Sequence, residues 1–285
     1  MENKDIRYII NNRITSLPTL PTVVANILTL VQKSSSSARD VAAYISRDQA
    51  ISSAVLKIAN SAYYNLSGKV EVIDRAVVVL GFETVKNLAL GTSVFSTLRS
   101  DEEGVFDREG FWIHAIGVGT VADMISKEIL KSTDPSFFVS GLFHDLGKII
   151  FDRYLNDMYI PIIRQAKEEG KPLHSLEKEV FGLNHAEVGS MLLTRWKIPP
   201  PIINHLKYHH NLESCPPEYA IEAAVIVAAN YLCHLENIGL SLVPEISPSE
   251  TALKSLQIKP DHLVQLGKKL EEMRDKINSF VQSMQ

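Results

Sequence analysis

The sequence predicts an all-α protein, a multi-helix bundle of two packed helical lobes. Apolar residues recur at helical spacing over most of the 285 residues, and no convincing series of alternating strand-like runs appears. A charged, glycine-containing stretch at 99–110 (Arg-Ser-Asp-Glu-Glu-Gly-Val-Phe-Asp-Arg-Glu-Gly) separates the two helical regions and marks the boundary between lobes.

Each element has a local reason. The turn Leu17-Pro18-Thr19-Leu20-Pro21 fixes entry to a helix over 22–33, where Val23, Val24, Ile27, Leu28 and Val31 share a face. Ser34 to Ser37 form a polar break, and Ser37 or a near neighbour caps a helix carrying Val41, Tyr44 and Ile45. Asp48 caps the next helix, through Ile51, Val55, Leu56 and Ile58 to about Ser61. Asn65 to Lys69 read as a loop, Val72 to Leu80 as an apolar helix halted by Gly81, and Glu83 to Leu98 as another. Asn60-Ser61 is read as a helix terminator whose amide and hydroxyl satisfy loose carbonyls. Beyond the boundary the pattern predicts helices over 111–130, 136–153, 156–169, 172–181, 184–195, 199–208 and 217–235. A connector at 239–249, holding Pro244 and Pro248, leads to helices over 249–257 and 261–283, the last with a solvated Lys/Glu face.

Composition narrows the function. Hydrophobic residues make up 45% and charged residues 22%, an ordinary globular balance. A net charge of −4 with thinly spread basic residues gives no electrostatic footprint for nucleic acid or an anionic membrane. Cys215 and Cys233 do not make a disulfide framework, the start Met1-Glu2-Asn3-Lys4-Asp5 lacks a signal-peptide pattern, and no apolar run spans a bilayer. A soluble, cytoplasmic protein is expected.

The most informative feature is His144-Asp145, set in the apolar run from Gly141 to Ile150. Burying a carboxylate without a partner costs several kcal/mol or raises its pKa. Two readings fit the dyad: a metal ligand pair, or a buried His–Asp hydrogen bond serving the fold. His114, in another apolar stretch, His185 at a helix start and His209-His210 after Ile202-Ile203 complete a set that a helical bundle can gather around an ion. Lys148 reads either as a phosphate contact or as a lysine reaching solvent.

His114 with His144-Asp145-Leu146-Gly147-Lys148 resembles the metal-binding signature of the HD phosphohydrolase superfamily, and His185, Arg195-Trp196-Lys197-Ile198-Pro199 and His209-His210 resemble its HD-GYP branch. The first lobe is similar to the HDOD family, the HD-related output domain, through Leu17-Pro18-Thr19-Leu20-Pro21, Ile58-Ala59-Asn60-Ser61-Ala62-Tyr63-Tyr64 and Ala76-Val77-Val78-Val79-Leu80-Gly81. The resemblance implies an HDOD domain over 15–212. Its parts are an N-terminal helical lobe over 1–104 and an HD-like lobe over 105–235, with a C-terminal helical extension over 236–285.

Two departures shape the expected function. Asn230 stands where the superfamily's closing aspartate aligns, a weakened ligand position with no charge. After His209-His210 the chain reads Asn211-Leu212-Glu213-Ser214-Cys215-Pro216, so the Asp-Gly-x-Gly-Tyr-Pro segment of the HD-GYP branch is missing. With Asp145 as the sole anionic ligand, a single divalent ion is expected at His114, His144, Asp145, His185, His209 and His210. Iron, zinc, manganese and nickel all suit such ligands. The resemblance implies a bacterial, non-catalytic signalling output module that meets a protein partner, with a nucleotide messenger as another ligand. The alternatives are a metal-dependent phosphohydrolase or phosphodiesterase using Lys148 on phosphate, and a metal-free structural protein.

Overall fold

The computed structural model describes residues 37–61, 63–98, 106–134, 136–239 and 250–284, with residues 22, 25 and 26. Among these no β-strand occurs, and helices form the whole architecture, as the periodicity predicts. The turn expected at Leu17–Pro21, nearly all of the helix expected over 22–33, the stretch 99–105 and most of the connector lie outside the described residues. No helix among the described residues is long and apolar enough to cross a membrane.

The chain divides into two compact units. The smaller lies within Pro18–Arg99, Asp134–Ser136 and Glu272–Gln285, and the larger within Ser100–Thr133 and Phe137–Glu271. In the smaller unit, α1 (Ala38–Arg47) opens on a reciprocal cap between Ser37 and Asp40, and α2 (Gln49–Ala59) on the Asp48 side chain, which accepts from the Ile51 N–H at 2.9 Å. Asn60 ends α2 and does more than terminate it. Its amide donates to the Leu56 and Val70 carbonyls and accepts from the Val70 N–H at 2.7 Å, stapling the loop that follows. α3 (Ile73–Leu80) stops at Gly81, whose φ of 85° suits glycine, and α4 (Phe82–Leu98) follows. Val41, Ile45, Val55, Ile58, Ile73 and Val85 are buried in this unit.

The larger unit is built on α5 (Arg108–Glu128) and α12 (Ala220–Leu235), which pack along one another and are buried on most faces. α5 starts three residues earlier than the pattern predicts, because the Asp107 side chain accepts from the Gly110 N–H at 2.8 Å. Around this pair lie α6 (Ser136–Phe143), α7 (Leu146–Tyr154), α8 (Asn156–Glu169), α9 (Leu173–Phe181), α10 (His185–Arg195) and α11 (Pro200–Lys207). α13 (Glu250–Ser255) and α14 (Pro260–Met284) complete the described chain. Short 3-10 turns at Leu212–Ser214 and Pro217–Tyr219 precede α12, so the helix expected from 217 begins at Ala220.

One expectation is corrected where it matters. The helix predicted over 136–153 is two helices, and the break falls on His144-Asp145. Two close helix contacts account for it. A Cβ on Gly141 of α6 would lie 2.5 Å from the Gly119 Cα of α5, and one on Gly147 of α7 would lie 2.0 Å from the His185 carbonyl oxygen at the start of α10. Each half follows a different neighbour, and a bend between them satisfies both. The first half is apolar and buried on nearly all faces and the second opens with buried residues from Leu146 to Phe151, so the apolar run itself carries no mark of the break.

Candidate metal centre

Asp145 occupies the N-cap position of α7 with φ −101° and ψ 9°, yet its side chain makes no cap hydrogen bond. The carboxylate turns inward instead, 1% exposed. His144 precedes it, fully buried, and its Nδ1–H donates to the Gly141 carbonyl at 2.7 Å. A carbonyl only accepts, so Nδ1 carries the proton and the neutral ring keeps its lone pair on Nε2, 3.2 Å from Asp145 Oδ2.

The other imidazoles repeat this arrangement. His185, the first residue of α10, follows the Asn184 cap, and its Nδ1–H donates to Glu177 Oε2 at 2.6 Å while its Nε2 faces Asp145 Oδ1 at 3.0 Å. His209 lies in the turn after α11; its Nδ1–H donates to the Leu206 carbonyl at 2.6 Å and its Nε2 stands 3.7 Å from Asp145 Oδ1. His210 Nε2 is 2.8 Å from His185 Nε2. His114, midway along α5, gives Nδ1 to the Ile238 carbonyl and meets the Asn230 amide with Nε2, each at 3.0 Å, and stays 3.9 Å from Asp145 Oδ2. Lys148, 6% exposed, donates to Asp145 Oδ2 at 2.5 Å, so it does not reach solvent.

Charge in the site follows from burial and neighbours. Burial opposes ionisation of Asp145, but His144, Lys148 and His185 outweigh it and hold the carboxyl well below its ordinary value. Burial lowers His209 to about 4, and burial with His234 and His144 nearby holds His114 well below the usual imidazole range. His185 shifts the other way: burial opposes its charge, and the Glu177 and Asp145 carboxylates outweigh burial and raise it.

The Nε2 atoms of His144, His185 and His209 thus all point toward the Asp145 carboxylate in a buried site. His144 Nε2, His209 Nε2 and Asp145 Oδ1 are buried with no hydrogen-bond partner among the described residues. Such a set is repulsive until a cation stands within it. The spacing fits one: metal–ligand bonds of about 2.1 Å put neighbouring donors of a tetrahedron roughly 3.4 Å apart. Two groupings offer donor atoms within 4.8 Å of one another, Asp145 with His185, His209 and His210, and His114 with His144 and Asp145.

The structure thus brings the five candidate histidines around the Asp145 carboxylate, with Lys148 on that carboxylate and Asn230 on His114. Sequence reasoning missed Glu177, fully buried against His185, and His234, whose ring lies 4.6 Å from that of His114. Both left a signal. Glu177 falls on the apolar stripe of Leu173, Leu176 and Phe181, and His234 lies one turn beyond Asn230. A surface pocket of about 590 Å³, lined by His174, Lys178, Asn184, Lys207, Tyr208 and His210, reaches the cluster at His210.

The HDOD domain family model matches residues 17–212. A Treponema pallidum (strain Nichols) protein described as uncharacterized is 29% identical over 222 residues, 78% of this chain and 43% of its own length. This chain therefore spans less than half of that relative. The fold is similar to that of an HDOD domain protein with unknown function from Geobacter sulfurreducens, with TM-score 0.79 at 22% identity over 100% of this chain and 99% of the other. It is also similar to a candidate signal transduction protein from Marinobacter aquaeolei VT8, with TM-score 0.82 at 19% identity over 99% of this chain and 66% of the other. A candidate phosphohydrolase from Shewanella amazonensis SB2B matches with TM-score 0.76 at 24% identity, over 97% of this chain and 98% of the other.

Proposed function

This chain belongs to the HDOD domain family, and from that premise we propose that it is a bacterial signalling output module whose larger unit holds one divalent metal ion and hydrolyses little or no phosphoester. The carrying observation is the unequal company of the two Asp145 oxygens. Oδ1 has no hydrogen bond and faces the Nε2 atoms of His185 and His209, and His210 Nε2 lies within hydrogen-bond distance of His185 Nε2. Oδ2 is taken by the Lys148 ammonium. One ion on the Oδ1 side would have a carboxylate and three imidazoles, a donor set suited to iron, zinc, manganese or nickel.

The Oδ2 side offers a second cation much less. Lys148 already supplies positive charge there, and both ring nitrogens of His114 are committed. The Asn230 Oδ1 is placed 3.0 Å from Nε2; with the Nδ1–H on a carbonyl, a neutral His114 ring requires the amide turned over by a half-turn, its NH₂ toward Nε2. A two-metal clamp on a phosphodiester needs both positions. The module would then act by presenting a surface to a protein partner in a signalling pathway in the cytoplasm, and the likeness to the Marinobacter protein supports that class of role. A nucleotide messenger remains a second class of ligand.

A phosphohydrolase is the second reading, favoured by the pocket that reaches His210 and by the likeness to the Shewanella protein. Elemental analysis of protein purified without added ions, paired with an assay on an aryl phosphodiester, separates the two. One equivalent of metal with negligible turnover supports the proposal. Robust hydrolysis abolished by Asp145→Ala establishes the enzyme, and no metal even after reconstitution establishes a metal-free structural protein.

A further inference from the structure

Glu177 is a carboxylate with no exposed surface, and no lysine or arginine among the described residues pairs with it. Three donors converge on it instead. The Tyr159 hydroxyl, itself buried, donates to Oε1 at 2.8 Å, and Oε2 accepts the His185 backbone N–H at 2.8 Å and the His185 Nδ1–H at 2.6 Å. The Tyr159 phenol is pushed well above its ordinary pKa by burial and by Glu177, so it remains a donor. A buried anion with this company is costly for stability alone.

We propose that Glu177, braced by Tyr159, is a positioning residue of the metal site that fixes His185 with Nδ1 protonated and Nε2 turned to Asp145. The double grip on backbone and ring sets the orientation of His185 about its own Cα, which a single ring contact does not. An imidazole whose N–H is held by a carboxylate is also a better donor to a cation. Asp145 is then not the sole anion serving the site: one carboxylate touches the ion and a second acts through the His185 ring. The Tyr159 and Glu177 positions lie on α8 and α9, so these two helices take part in the site without touching the ion. This inference rests on the metal reading above.

The test is metal affinity in the full chain, stripped with a chelator and titrated with zinc or cobalt alone against a chromophoric chelator. Melting of the stripped protein is followed in parallel. Glu177→Gln keeps volume and an acceptor for the ring N–H, and its affinity should fall about 10- to 100-fold. Tyr159→Phe, which acts on His185 only through Glu177, should weaken binding about fivefold, within the net worth of one hydrogen bond. A merely structural Glu177 would lower the melting temperature of the stripped protein and leave affinity within about twofold of the parent, and that result overturns the inference. If the Gln variant does not fold, Tyr159→Phe decides, with unchanged affinity counting against the role. A parent chain that binds neither metal overturns the metal reading and this inference together, whereas binding by the parent and equally by the Gln variant removes only the role of Glu177.

Discussion

Asn230 meets His114 side chain to side chain, 3.0 Å from ring nitrogen to amide, while the opposite nitrogen of the same ring donates to the Ile238 carbonyl. His114 is thereby held at both ends in the core of the α5–α12 pair. With the amide turned so that its NH₂ donates, this contact takes up the Nε2 lone pair a cation would use.

Replacing that amide is the first prediction. Asn230→Asp removes the NH₂ donor, frees His114 Nε2 and adds a negative charge beside it. Metal content should rise from about one ion per chain toward two, and slow hydrolysis of an aryl phosphodiester should emerge, since paired ions clamp both the attacking and leaving oxygens. Elemental analysis is the direct check. Stoichiometry unchanged at one would show that Lys148, and not the amide, closes the second position.

Metal removal should cost stability. An ion bound at about 100 times its Kd stabilises the folded chain by about 2.7 kcal/mol, which for a chain of this size corresponds to a melting shift of roughly 5 °C. A chelator should lower the melting point by that order, and added zinc or manganese should restore it. An identical melting point with and without chelator would speak for the metal-free alternative.

Asp145→Ala should both abolish metal binding and destabilise the larger unit. It leaves the Lys148 ammonium, 6% exposed, without its carboxylate, and breaking a buried pair from one side costs about 3–5 kcal/mol. Adding Lys148→Met removes the orphaned charge, so the double variant should recover much of the loss without regaining metal. Denaturant melts of the two variants read the difference, and equal stability of the two would contradict a buried Lys148–Asp145 pair.

Gly147→Ala tests the bend at the dyad. The added methyl would lie 2.0 Å from the His185 carbonyl oxygen, a backbone atom that cannot swing aside. α7 and α10 must separate, which moves Asp145 from His185. Destabilisation of about 2–3 kcal/mol and weakened metal binding are expected, as for overpacking at a close contact. Gly68→Ala meets nothing within 4 Å and serves as the neutral control.

Much of the fold was legible because helical burial writes a period into the chain. The stripe of Val41 and Ile45, the caps at Ser37 and Asp48 and the stop at Gly81 each depend on residues within a few positions, and the structure has them there. The break at His144-Asp145 was not legible, since it follows from glycine contacts with two different helices, Gly141 on Gly119 and Gly147 on His185.

The site divides in the same way. The residue types able to bind metal, His114, His144, Asp145, His185, His209 and His210, are fixed by sequence, and so is the neutral amide of Asn230. Which nitrogen of each ring faces the carboxylate is decided by the partner of the other nitrogen: for His144 and His209 the local Gly141 and Leu206 carbonyls, one turn earlier in the chain, and for His114 and His185 the tertiary contacts to the Ile238 carbonyl and to Glu177. Lys148 likewise had two readings in the sequence; its burial removes the one in which it reaches solvent, and its pair with Asp145 was in neither. Periodicity, residue type and one-turn contacts such as Lys148–Asp145 travel with the chain, whereas the orientation of His114 and His185 and the gathering of the rings on Asp145 depend on which distant groups burial brings within about 3 Å, the reach of a hydrogen bond.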